Sequence, residues 1–338
     1  MTDLYIECVF PFPESKSTDT DRAREANRLW VKEQSLVRSK AAVTWYERWD
    51  MAKLAGYLYP YGQGEHLDVA TDGLAFFFLF DDQFDGPLGR TPGATARVCQ
   101  DMVEVVHGGG EVAVTSSPLV RAFGDFWRRM KHGMSPGWQA RAAHHWEYYF
   151  SEYPHEAFDR RRGQVPDWEH YLLVRRGMGG TETVLDLCER VGGFEVPPVA
   201  YHAPPLMEMR SIVRDLLNFC NDVHSVHKEE PRGDVDNLVL VVEHERGCSR
   251  AASLARISGI FEERLSRFAT LGEQLPQYVS AFDFTPLQTT AISRYVEALG
   301  LALAGHHRWE IESGRFTDAK DFVPADRPGY LEDLINRS

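Results

Sequence analysis

An all-α, single-domain fold is what this 338-residue chain predicts, and three features carry that expectation. From about Asp19 onward, apolar residues recur at helical spacing through nearly every segment. No strand-like alternation of useful length interrupts them, and no repeat of fixed period appears. The breaks carry turn-forming residues instead: Pro60-Tyr61-Gly62, Gly86-Pro87, Gly108 to Gly110, Ser135-Pro136-Gly137 and Pro197-Pro198. A hydrophobic content of 43% is enough for one large core.

Taken in order, residues 1–17, with Pro11 and Pro13, are expected to form an extended arm over the domain. Helices are expected over 20–38, 40–57, 66–86, 94–106, 117–131, 136–152, 167–190, 202–230, 235–245, 249–272 and 286–312. The stretch 155–166, where Arg160, Arg161 and Arg162 run into Gly163, reads as a solvated loop. Gly108 to Gly110 lacks both a preceding strand and the Lys-Ser/Thr of a phosphate-binding loop, so it reads as a plain helix connection. His144-His145 and His306-His307 are adjacent pairs. Helical neighbours point about 100° apart, so neither pair makes a two-pronged metal site, and both read as surface or packed histidines.

The formal net charge of −13 argues against a nucleic-acid partner, since phosphate backbones demand basic surfaces. It argues also against a polybasic membrane association. Five cysteines are scattered with no Cys-x-x-Cys pair, which disfavours a disulfide framework or a zinc knuckle and fits a reducing compartment. The first residues lack a basic region followed by an apolar run, and no apolar stretch approaches bilayer length. A cytoplasmic protein without stable membrane association is the expectation.

Two constellations carry chemistry. Residues 76–85 read Phe-Phe-Phe-Leu-Phe-Asp-Asp-Gln-Phe-Asp. On a helix, Asp81 and Asp85 stand one turn apart on one face, with Asp82 beside them. Clustered like charges resist burial unless a cation neutralises them. Carboxylate oxygens are hard donors, which makes Mg²⁺ the natural ion, its octahedron completed by water and substrate phosphate. Phe77 continues that face backward, and Leu74 and Phe78 lie above Asp82. Ligands at one end and an aromatic wall behind them suit a substrate with a phosphate head and a hydrocarbon tail. A helix-end charge cluster is the plainer alternative, and the nearly continuous aromatics before it argue against that.

Residues 221–229 read Asn-Asp-Val-His-Ser-Val-His-Lys-Glu. Asn221, Ser225 and Glu229 recur every four positions and so share one helical face. They offer an amide oxygen, a hydroxyl and a carboxylate to one hard ion. Val213 and Leu217 continue the line toward the helix start, and Lys228 stands beside the trio to answer phosphate charge. Alone, such a stretch is a common solvent face; two helices with the same plan outweigh that reading. A zinc or iron site from His224, His227 and Asp222 is disfavoured because the histidines leave the face of Asn221, Ser225 and Glu229.

These two motifs, in this order and well separated, resemble those of the bacterial class I terpene synthases. The resemblance covers nearly the whole chain, including Gly124-Asp125-Phe126-Trp127, Gly133-Met134-Ser135-Pro136 with Trp146 after it, Phe194-Glu195-Val196-Pro197, and Trp309 followed by Ser313-Gly314-Arg315. It implies a single α-helical bundle spanning 1–338 with a central cavity. It also implies a prenyl diphosphate substrate, ionised with three Mg²⁺ ions and cyclised with release of diphosphate. Asp81, Asp82 and Asp85 match the first metal motif, and Asn221, Ser225 and Glu229 the second. Arg175 falls at the family's diphosphate-sensing position, and Met178 and Gly179 at the linker and effector positions of a helix break. Gly177, Gly179 and Gly180 support such a break because glycine destabilises a continuous helix. Lys228 and Arg315 add diphosphate contacts.

One departure is visible. The family usually ends in Arg-Tyr, and here the pair is Arg315-Phe316, so one neutral hydrogen bond of about 1 kcal/mol is absent. Phe77, Phe78, Leu217 and Trp309 are expected to line the pocket, where aromatic faces stabilise a carbocation. Farnesyl diphosphate (C15) is the expected substrate, with geranylgeranyl diphosphate (C20) as the alternative. A prenyl-elongating transferase, a metal-dependent phosphohydrolase and a non-enzymatic scaffold are more remote. A monomer or a homodimer is equally compatible with the sequence.

Overall fold

The centre of the molecule is a helix that is apolar all round, which only a fully surrounded position tolerates. The structure is a computed structural model, and it describes residues 10–317 and 332–335. That central helix, α4 (Gly64–Asp81), buries Leu67, every residue from Val69 to Phe77, and Leu79 and Phe80. Before it come α1 (Thr20–Glu33), α2 (Lys40–Trp49) and α3 (Met51–Leu58). After it come α5 (Pro92–His107), α6 (Pro118–Lys131), α7 (Pro136–Arg162), α8 (Trp168–Met178) and α9 (Thr181–Gly192). The chain then forms α10 (Pro198–Tyr201), α11 (Pro204–Glu229), α12 (Leu238–Arg246), α13 (Arg250–Ser280), α14 (Pro286–Glu312) and α15 (Gly314–Thr317). Every regular element among the described residues is helical.

Helices α1, α3, α6 and α9 pack on α4, while α14 lies against α3 and α11. Phe76 and Phe80 stack with centroids 5.5 Å apart, and Phe123, Trp146 and Phe150 close around them. Each such pair adds about 0.5–1.5 kcal/mol beyond burial. Helix starts are fixed by side-chain oxygens that take up orphan backbone N–H groups: Ser39, Ser117, Ser135, Asp167, Asn237, Ser249 and Thr285. Residues 10–17 run without helix; Phe10 packs on Phe261 and His307, and Phe12 on Phe268. Residues 1–9 of the expected arm lie outside the described residues.

Several boundaries differ from the sequence reading. The first helix stops at Glu33, and Ser35 turns through φ 59°. The segment 40–57 is two helices, broken at Asp50 (φ 52°), whose carboxylate accepts from the Lys53 N–H and so caps the second. Residues 249–272 extend to Ser280 with Pro276 inside the helix. The largest correction concerns 155–166: α7 continues to Arg162 despite Pro154, and Asp159 and Arg160 are buried. Arg160 is drawn inward because it donates to the Phe84 and Gly89 carbonyls at 3.1 and 3.2 Å and pairs with Glu156 at 3.2 Å and with Asp234.

Candidate active site

Two chambers share a wall. The apolar one, with about 710 Å³ of empty space, is lined by residues including Phe77, Phe78, Leu74, Leu217, Tyr149, Tyr153 and Met178. The polar one, about 540 Å³, is lined by Asp85, Glu156, Arg160, Lys228, Glu229, Asp234 and Asp236 among others. Asp81, Arg175, Met178 and Asn221 line both. The result is a greasy body with a charged mouth.

The helical premise for the aspartates holds only to Asp81. The chain tightens into a 3₁₀ turn over Asp82–Phe84, and the three carboxylates differ in the cations that reach them. Asp82 is buried and accepts from Arg315 at 2.7 and 3.3 Å. Asp85 accepts from Arg232 at 2.5 Å, with Lys228 at 3.7 Å. Burial alone would push the Asp85 carboxyl up, but Lys228 and Arg232 outweigh it and hold it below its usual range. Asp81 has no such close cation: Tyr153 donates to it at 3.2 Å and Arg315 stands 3.8 Å away. Its side chain is 46% exposed, into the two chambers it lines. Burial, then repulsion from Asp85 and Asp82, pushes its carboxyl up to about 6. A carboxylate so placed lacks positive charge.

The second motif lies on α11. Asn221 Oδ1 accepts from Arg175 at 2.8 Å, and its amide donates to Glu310 at 3.2 Å. Glu229 accepts from Asn237 at 2.9 Å. Ser225 is buried with its hydroxyl 3.5 Å from the Asp222 carbonyl, and it lines neither chamber. Arg175 also donates to Asp222 at 2.8 Å, which Tyr171 holds from the other side at 2.5 Å. The donors facing the mouth are carboxylate and amide oxygens, a set that fits Mg²⁺ rather than a soft ion.

The helix break falls between α8 and α9. Gly180 adopts φ 59°, a left-handed conformation that glycine takes without cost. A Cβ on Gly179 would come within 1.8 Å of Asn218 Oδ1, so only glycine allows the backbone this close to α11. Asn218 in turn donates to the Arg175 carbonyl at 3.2 Å. Met178 and Gly179 both line the apolar chamber.

Of the residues expected at the wall, Phe77, Phe78 and Leu217 are there, but Trp309 is not. Its ring packs behind Phe78, centroids 5.4 Å apart, and its Nε1 donates to the Trp49 carbonyl at 2.9 Å. Arg315 lies between the Trp49 and Phe78 rings, 4.7 Å from each, and lines neither chamber. The Phe316 side chain lies outside the described residues. Sequence reasoning missed Tyr149 and Tyr153, although their i, i+4 spacing one turn after Trp146 is a helical signal. It also missed Glu156, Asp234 and Asp236, whose place at the charged mouth no local pattern announces. Burial pushes Glu156 up to about 7 against the pull of Arg160.

Residues 72–267 match the family described as terpene synthase family 2, C-terminal metal binding. The chain is 35% identical to a (−)-β-caryophyllene synthase of Saccharothrix espanaensis, named as (2E,6E)-farnesyl diphosphate cyclizing, over 97% of this chain and 93% of that one. It is likewise 35% identical to a pentalenene synthase of Streptomyces avermitilis over 97% and 98%. In three dimensions it superimposes on germacradien-4-ol synthase from Streptomyces citricolor with a TM-score of 0.81 at 38% identity, covering 91% of this chain and 98% of that one.

Proposed function

Since this chain belongs to the bacterial class I terpene synthases, we propose that it binds farnesyl diphosphate, ionises it in a Mg²⁺-dependent step and cyclises the cation. The observation that carries this reading is the shared wall. Asp81, Arg175, Met178 and Asn221 stand where the apolar chamber meets the charged mouth, so a diphosphate and its hydrocarbon chain fit end to end.

Asp81, Asn221 and Glu229 would hold Mg²⁺ at the mouth, with Ser225 assigned to the same triad only by family resemblance, as are the three ions, which would supply Lewis-acid neutralisation of the leaving group. Asp82 and Asp85 hold Arg315 and Lys228 beside that mouth. Arg175 and Lys228 provide charge-assisted donors to the diphosphate. Once the allylic carbon–oxygen bond breaks, the electron pair leaves with the diphosphate and a carbocation remains in the apolar chamber. Phe77 and Phe78 offer aromatic faces to that charge, each worth about 0.5–2 kcal/mol. Leu74, Phe77, Phe78 and Leu217 present apolar surface there, which disfavours the water that would quench it.

Farnesyl diphosphate is preferred to geranylgeranyl diphosphate because a relative spanning nearly this entire chain is named for cyclizing farnesyl diphosphate. The test is incubation of the folded protein with C10, C15 and C20 diphosphates plus Mg²⁺, followed by gas chromatography of the extract. A cyclic C15 product is expected. Consumption of none of the three would sink the synthase reading, and the primary linear alcohol alone, with its double bonds unmoved, would point to phosphohydrolase chemistry.

A further inference from the structure

A second donor cluster lies behind the site. Cys220 and His224 are one turn apart on α11, and His307 and Glu310 are three apart on α14. Such spacings put each pair on a single helical face, and α11 and α14 pack together. One donor atom from each of the four residues lies within 4.8 Å of every other. Cys220 Sγ is 3.3 Å from His307 Nδ1, and His224 Nε2 is 3.9 Å from Glu310 Oε2. Cys220, His307 and Glu310 are 5, 8 and 1% exposed. Glu310 Oε1 accepts from Asn221, whereas its buried Oε2 finds no hydrogen-bond partner, with His306 Nδ1 3.5 Å away.

We propose that Cys220, His224, His307 and Glu310 form a second metal site, for a divalent ion of the zinc class, that clamps α11 to α14. One sulfur, two nitrogens and one oxygen are the donor types of a closed tetrahedral zinc site, and they disfavour Mg²⁺. Paired ligands from facing helices are also how bundles build metal centres. A tetrahedral ion at zinc bond lengths spaces its sulfur and nitrogen ligands about 3.5 Å apart. The Cys220–His307 pair already meets that distance, and the widest pair needs to close by about 1 Å.

Charge balances as well. A thiolate, a carboxylate and two neutral imidazoles cancel the 2+ of the ion, with one proton released to solvent from Cys220 and one from Glu310. Glu310 with Oε2 on the ion keeps Oε1 for the Asn221 amide. The clamp would therefore orient Asn221 from behind while α11 presents it to the cavity. This site is distinct from the Mg²⁺ mouth, whose lining offers no thiol.

The experiment uses the full chain, stripped with chelator and titrated with Co²⁺ alone as a spectroscopic stand-in for zinc. Expected is one Co²⁺ per chain with tetrahedral d–d bands and a thiolate-to-cobalt absorption. That absorption should vanish in Cys220→Ser and persist in Asp81→Asn, which leaves the cluster intact. Zn²⁺ should raise the Tm of the stripped wild type and leave that of His307→Ala unmoved. Folded wild type that shows no thiolate band on titration overturns the proposal, whatever the variants do. A band that survives in Cys220→Ser overturns it too, because the sulfur would then come from another cysteine.

Discussion

Asp81 is the most exposed of the three aspartates to the cavity and the least neutralised, so its chemistry is sensitive to pH. Its carboxyl, pushed up to about 6, must lose its proton before it can ligate Mg²⁺. The apparent Mg²⁺ affinity is expected to weaken as pH falls below about 6, as protons compete for the same oxygens. Titrating the metal requirement of turnover at several pH values checks this; an affinity flat across that range would contradict it. Asp81→Asn and Asn221→Ala are each expected to reduce turnover on the order of a hundredfold or more. The melting curve of Asp81→Asn should stay near wild type, since its removal strands no buried charge. Asn221→Ala also takes a donor from the buried Glu310, so a loss of about 1–3 kcal/mol is expected there without unfolding. Wild-type activity in either variant would take that residue out of the site.

At the scale of elements, two devices place the ligands. The first is the break between α8 and α9. In Gly179→Ala the new methyl collides with Asn218, 1.8 Å away, and Asn218 must release the Arg175 carbonyl. Loss of about 1–3 kcal/mol of stability is expected, with at least a tenfold fall in kcat, measurable by thermal melts and steady-state kinetics. Unchanged kinetics would mean the break tolerates α11 at a greater distance.

The second device is Arg160, which ties the end of α7 to the turn after the aspartates. Arg160→Leu strands Glu156 and Asp234 and leaves the Phe84 and Gly89 carbonyls without this donor. Breaking a buried ion pair costs about 3–5 kcal/mol, so a large drop in Tm is expected together with weaker Mg²⁺ activation. A melting curve matching wild type would show that the 3₁₀ turn holds without it. In the sequence this arginine looked solvated because it sits in a basic run beside a glycine. Apart from Glu156, one turn before it, its partners lie some seventy residues away in either direction, beyond the reach of any local pattern.

At the scale of the whole molecule, the core carries a buried carboxyl whose protonation is linked to folding. Burial pushes Glu310 up to about 8, against hydrogen bonds from Cys220 and Asn221 and the charge of Arg175. The folded pKa is raised above the unfolded value of 4.5. The folded chain therefore keeps a proton the unfolded chain has lost, and stability falls as pH rises from about 4.5 to about 8. In chelator-treated protein, the Tm of wild type is expected to fall relative to Glu310→Gln between about pH 4.5 and about pH 8. Parallel Tm profiles would show that this carboxyl is ionised throughout.

Periodicity and punctuation in the sequence determined the helical class and the two oxygen-rich motifs, because each is written within a few neighbouring residues. Periodicity alone runs one helix through 167–190, and the break there is implied by the resemblance, with Gly177, Gly179 and Gly180 in support. Tertiary structure alone decided that Asp81 lines both chambers while Asp82 and Asp85 pair with Arg315, Lys228 and Arg232. It also put Trp309 behind the wall and gathered Cys220, His224, His307 and Glu310 into one cluster. The reason is physical: a carboxylate's or a ring's environment is set by the charges and surfaces that reach it through space. Those come from helices far apart in the chain.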